Sequence, residues 1–80
     1  MTNKSGSSAS VKCGVLVNVR RDLWESGNSH IREECARLGE EELSRRGEIV
    51  GPVTRDAIDY SSLRWVSVRY TAQVIPNERA

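Results

Sequence analysis

Residues 64–75 read Arg-Trp-Val-Ser-Val-Arg-Tyr-Thr-Ala-Gln-Val-Ile, with apolar residues at every second position from Val66 to Val74. Successive side chains on a strand point to opposite faces. One face therefore carries Val66, Val68, Tyr70, Ala72 and Val74. The other carries Trp65, Ser67, Arg69, Thr71, Gln73 and Ile75. β-Branched and aromatic residues dominate, and the first breaker is Pro76, so the pattern predicts a long strand at the centre of a sheet. Trp65 and Ile75 are costly to leave in water, which sets the second face apart from an ordinary solvated one.

The same alternation appears over residues 11–20. Val11, Cys13, Val15, Val17 and Val19 share a face, and Lys12, Gly14, Leu16, Asn18 and Arg20 share the other. Gly14 leaves room there for a close neighbour or a bulge. Residues 21–29 are rich in turn formers, with Asp22 and Glu25 at the spacing of a capping box for a short helical turn. The main helix is expected over residues 30–46, capped by Asn28 or Ser29. Ile31, Cys35 and Leu38 form its apolar stripe, widened by Ala36 and Leu43. Glu33 and Glu34 near its start and Arg45 and Arg46 near its end complement the helix dipole. Gly47 is placed as its C-terminal cap, and Gly39 marks a kink or a close contact. Residues 48–55 read as a short edge strand with a bulge at Gly51-Pro52, because Pro52 has no N–H to give a ladder. Residues 56–63 read as a loop or a single helical turn.

These elements run β-α-β-β. The expected fold is α+β, a two-layer sandwich with a three-stranded mixed sheet of order 1-3-2 and one helix on the face bearing Val15, Val17, Val68 and Tyr70. Residues 1–10, small and Ser-rich, are expected to be a disordered tail, residues 11–76 the single domain, and residues 77–80 a frayed end.

Length changes the picture. A body of about 70 residues has a poor ratio of surface to volume, and the thin helix stripe gives it little to bury. Two cysteines make no disulfide framework, and no Cys/His spacing suits zinc. The remaining source of stability is a partner, so a homo-oligomer (a dimer or larger) is expected. Twelve basic residues against eleven acidic ones leave a net charge of +1. That balance argues against a dedicated nucleic-acid binder. No apolar run approaches the roughly 18 residues of a membrane span, and no signal-peptide core is evident. The expected setting is a reducing cytoplasm.

The bare sheet face is the candidate site, with Trp65, Arg69, Leu16, Arg20 and Gln73 as its ligand or interface residues. As an interface, Trp65 and Leu16 would be buried against another subunit. As a ligand platform, Trp65 would stack a flat ring. Single-stranded nucleic acid on Trp65, with Arg20 and Arg69 on phosphates, is the third use such a face allows. A mostly solvated face is the plain alternative.

No constellation marks a reaction. Cys13 and Cys35 point at the expected core, where a thiol holds little thiolate. His30 is the only histidine and has no companion ligand. Glu41 and Glu42 stand four residues before Arg45 and Arg46, the spacing of surface ion pairs. Asp56 and Asp59 fit an ordinary polar turn. The chain is therefore expected to bind rather than catalyse, with no metal and no cofactor. The foremost reading is a protein-interaction module docking on a larger protein in a regulatory or inhibitory role. Short, charge-balanced chains of that kind are common in bacterial and phage genomes.

The strand-helix-strand-strand order and the long final strand resemble the dodecins, small flavin-binding proteins that assemble into hollow dodecamers. In that family a tryptophan on the sheet stacks on the flavin. The resemblance implies Trp65 as its counterpart, here on the third strand rather than on the strand directly after the helix. It also implies flavin as the cofactor and a larger assembly as the partner.

Overall fold

A computed structural model of the chain describes residues 9–77. Six elements follow in order: β1 (Val11–Arg20), α1 (Arg21–Glu25), α2 (Ser29–Ser44), β2 (Gly47–Ile49), β3 (Thr54–Asp59) and β4 (Trp65–Pro76). The chain is a small α+β unit with a four-stranded sheet, all of whose pairings are antiparallel and all of which involve β4. β1 matches β4 in ten unbroken pairs, from Val11↔Val74 to Arg20↔Trp65.

The expected three-stranded sheet of order 1-3-2 is corrected to four strands, with the path β1-β4-β2 and β3 also on β4. β2 pairs with the end of β4, from Gly47↔Pro76 to Ile49↔Val74, and β3 with its first half, from Thr54↔Thr71 to Asp59↔Ser67. Between them residues 50–53 stand opposite only Ala72 and Gln73. The Val50 N–H still donates to the Gln73 carbonyl at 3.0 Å, and Pro52 then offers no donor. Residues 54–59, read as the end of one strand and the start of a loop, pair instead with β4. Their polar composition hides this, because a ladder needs backbone groups rather than apolar side chains. The bulge lies between Arg55 and Ala57.

The core joins Val15 and Val17 of β1 and Val66, Val68, Tyr70, Ala72 and Val74 of β4 with Cys35 and Leu43 of α2 and Trp24 of α1. The stripe of α2 is Cys35, Gly39 and Leu43, at i, i+4 and i+8. Leu38 and Ala36, expected on it, are exposed. The cause is Gly39. A Cβ there would stand 2.5 Å from Tyr70 Cδ2, so the bare glycine lets the helix settle onto the ring. Asn28 caps the helix, its Oδ1 accepting from the His30 N–H at 2.9 Å. The far end closes on Arg45 rather than Gly47, with the Arg45 N–H donating to the Glu42 carbonyl and the Arg46 N–H to the Leu43 carbonyl. Gly47 instead opens β2, where a Cβ would collide with the Ile75 carbonyl oxygen.

Trp24 is the residue the pattern hid. It sits in a five-residue helix and is 1% exposed. Its indole N–H donates to the Tyr60 hydroxyl at 3.1 Å, and the Arg32 guanidinium lies 4.3 Å from its ring. Asp22 and Glu25 make no capping box. Asp22 pairs with Arg20, and Glu25 with Arg21. Along α2 the ion pairs are Arg37 with Glu34 and Glu41, and Arg45 with Glu42, not the pairs expected from Glu41 and Glu42 onward. All are solvent-exposed, and pairs of that kind add little to stability. Asn77, expected to fray, donates its backbone N–H to Arg46 O and its side-chain amide to Arg45 O. Residues 1–8 of the expected tail and residues 78–80 lie outside the described residues.

Candidate functional site: the open face of the sheet

Because β1 and β4 pair without interruption, their outward residues fall into rows. These are Lys12 beside Gln73, Gly14 beside Thr71, Leu16 beside Arg69, Asn18 beside Ser67, and Arg20 beside Trp65. β3 adds Thr54 next to Thr71, Ala57 next to Arg69 and Asp59 next to Ser67. All five sequence-predicted site residues lie on this face, but not in one site. Trp65 and Gln73 are eight positions apart, roughly 27 Å along a strand.

The middle of the face is a polar pavement. The Arg69 guanidinium lies across Gly14, where a Cβ would be 3.0 Å from Nε and 3.2 Å from Nη2. Its Nε is 3.8 Å from the Asp56 carboxylate, which the bulge in β3 brings alongside. Ser67 Oγ donates to Asn18 Oδ1 at 2.6 Å. Thr71 is only 3% exposed despite facing outward, because Arg69, Thr54 and the Gly14 backbone crowd it. Leu16 stands out of this pavement at 64% exposure.

The Trp65 end has depth. A cleft of about 430 Å³ is lined by Arg20, Arg21, Asp22, Leu63, Arg64 and Trp65. The segment before β4 is held in place by its own hydroxyls and carboxylates. Asp59 accepts from the Ser61 N–H, a bond that with the Ser61 hydroxyl holds its carboxyl below the usual range. Ser62 Oγ accepts from the Arg64 and Trp65 N–H groups, both at 3.2 Å. Arg21 anchors the segment from below, its Nη1 donating to the Ser62 carbonyl at 3.1 Å and its backbone N–H to the Arg64 carbonyl at 2.8 Å. Held this way, Leu63 is 89% exposed and the Trp65 indole 47% exposed. Arg20 and Arg21 are paired with Asp22 and Glu25. Among the described residues Arg64 has no ion pair. Leu63, Arg64 and Arg21 were missed at the sequence level; a lone leucine in a serine- and arginine-rich turn was the available signal.

A second cleft, of about 260 Å³, lies at the other end against Lys12, Pro52, Thr54, Asp56, Thr71, Ala72 and Gln73. Gln73 Oε1 there accepts from Ser10 Oγ at 3.0 Å.

Arginine stays protonated at any working pH, so the first cleft offers fixed positive charge, a half-open indole and an apolar tip. That set suits an acidic or aromatic group. The thiols add no nucleophile to it. Cys35 is buried on the helix side, and burial first, with the Glu34 carboxylate second, pushes its pKa up. Cys13 is half-buried and free. Among the described residues no three His, Cys, Asp or Glu side chains gather where a metal ion could be held. No helix among them is long and apolar enough to cross a membrane. Compared with protein-family models, curated proteins and solved structures, the chain finds no match.

Proposed function

We propose that the chain is a small self-associating protein-interaction module, working by binding rather than catalysis. In this reading the helices form one layer, the sheet the other, and the bare side of the sheet does the work. The observation that carries it is that the two most exposed of the large apolar side chains stand on that side. Leu16, Leu63 and Trp65 all lie there, in a chain whose described residues form a core of only ten side chains. A homodimer or larger closed assembly supplies the burial that so short a chain lacks. The assembly then presents the Trp65 cleft to a larger protein, whose acidic group would meet Arg64 while an apolar neighbour covers Leu63. Its role would be regulatory or inhibitory, in a reducing cytoplasm that suits two unpaired cysteines.

Light scattering on the purified chain over a range of concentrations tests this. The expected mass is at least twice the 8.9 kDa of one chain. A single-chain mass at every concentration overturns the self-association.

The second reading is a planar small ligand, such as a flavin, stacked on Trp65 as the dodecin resemblance implies. The cleft of about 430 Å³ beside a half-exposed indole favours it. Added flavin would then quench the fluorescence of the chain, and Trp65→Ala would abolish much of that quenching. No quenching on titration removes this reading.

A further inference from the structure

The sheet has two outer edges, and they are built differently. The edge formed by β2 and β3 is defended. β2 has three residues, Pro52 interrupts the run, a bulge follows Arg55, and Arg55, Asp56 and Asp59 line it with charge. Such devices keep an edge from pairing with another chain. β1 has none of them. It is ten residues long, without proline or bulge, and its only charged residues are Lys12 and Arg20 near its two ends. Among the described residues no strand or loop backbone pairs with its outer side.

The geometry points to a second copy of this chain as the occupant of that edge, joined β1 to β1 about a two-fold axis through Val15. This rests on the self-association proposed above and names the surface that performs it. An axis perpendicular to the sheet keeps the helix layers of both copies on one side, so same-face residues must lie opposite each other. Two registers with that property keep nine residues of β1 paired, one centred on Val15 and one on Leu16. Centring on Leu16 sets Lys12 against Arg20 of the other copy twice, and like charges directly opposite are destabilising. Centring on Val15 sets Lys12 against Asn18 and Arg20 against Ser10. It also puts the exposed Leu16 beside Gly14, the one outward position of β1 with no side chain. On the core side it lines up Cys13 with Val17 and Val11 with Val19. The result is one continuous sheet with β1 at its centre, and the Trp65 cleft of each copy stays open.

Disulfide trapping tests the register. In a Cys13→Ala background, Val15→Cys brings the two new thiols directly opposite, with Cα atoms about 4.5–5.5 Å apart and within bonding reach. Mild oxidation should then convert most of the chain to a covalent dimer. Leu16→Cys in the same background should give none, since the two thiols are offset by two positions, about 7 Å along the strand. Hydrogen exchange on the unmodified chain gives a second readout that needs no variant. The β1 amides that do not bond to β4 should exchange more slowly as concentration rises, while β3 amides do not change. Trapping at Leu16 but not at Val15, or β1 exchange independent of concentration in a chain that light scattering shows to be dimeric, overturns the edge pairing and leaves the self-association standing. A chain that light scattering shows to be monomeric at every concentration overturns both.

Discussion

The two faces of β4 differ in what covers them. On the helix side Val66, Val68, Tyr70, Ala72 and Val74 are all buried. On the bare side, positions from the same strand leave Trp65, Arg69 and Gln73 in solvent and bury only Thr71. Backbone pairing is common to both, so the difference comes entirely from what the rest of the chain lays over each face. A helix with glycine at its centre and a short helix carrying a tryptophan are laid over one. Nothing among the described residues is laid over the other. Stability should therefore reside on the first face and binding on the second, and substitutions can pull the two apart.

The largest effect is expected at Trp24. Trp24→Ala opens a cavity under the sheet, strands the Tyr60 hydroxyl and removes the platform on which Arg32 stacks. Buried tryptophan-to-alanine changes cost about 3–5 kcal/mol, most of what a domain of this size holds. Circular dichroism should show the variant largely unfolded at room temperature. A cooperative transition near that of the unmodified chain would place Trp24 outside the core.

Gly39→Ala comes next and is a test of sign. Helix propensity alone predicts a gain of up to about 1 kcal/mol. Contact with the Tyr70 ring predicts a loss of about 1–3 kcal/mol from overpacking. A lower urea midpoint is the expected outcome, and a higher one would mean that α2 does not lie on Tyr70.

The covered face should also make the fold sensitive to alkali. Burial raises the pKa of the Cys35 thiol, and of the Tyr70 hydroxyl with Cys35 adding to it. Both groups are neutral when protonated, and folding favours that form. Their contribution is present in full below the ordinary thiol value of about 8.5, and it is lost as pH climbs through the raised folded values. Urea midpoints should be level from pH 7 to 8 and fall above that. Cys35→Ala should flatten the start of the decline; an unchanged slope would assign it to other groups.

Trp65→Ala should matter least to stability. With half the indole in water, the change should cost under about 1 kcal/mol, while binding at the cleft is lost. A stability loss as large as that of Trp24→Ala would show that the two tryptophans share one duty.

The contrast between the faces also decides what was legible in the sequence. The alternation in β1 and β4 is long and unbroken, so both strands and their inward and outward lists could be read directly. A cap at Asn28 or Ser29 and a kink or close contact at Gly39 were readable from local rules, and the structure takes Asn28 and the close contact. The second half of the sheet was not. Residues 54–59 have no apolar alternation, and only the register with β4 shows that they form a strand. The helix stripe was set one position too far round, because a glycine on the buried line carries no hydrophobic signal and Leu38 does. Trp24 was obscured by turn-forming neighbours, and it packs with Arg32 eight residues on and with Arg55 and Tyr60 far along the chain. On the bare face the outward residues were legible, but neither their register nor the cleft. The cleft exists because Arg21 pins the segment before β4, and no spacing in the sequence announces that bond.

Self-association joins the two halves of this description, since it would complete a core that one chain leaves thin. The thermal midpoint of the unmodified full chain, measured over a hundredfold range of concentration, tests it most directly. A protein stabilised by its own copies melts later as concentration rises, and a steady climb in the midpoint is the expected result. A midpoint that stays fixed across the whole range would contradict it.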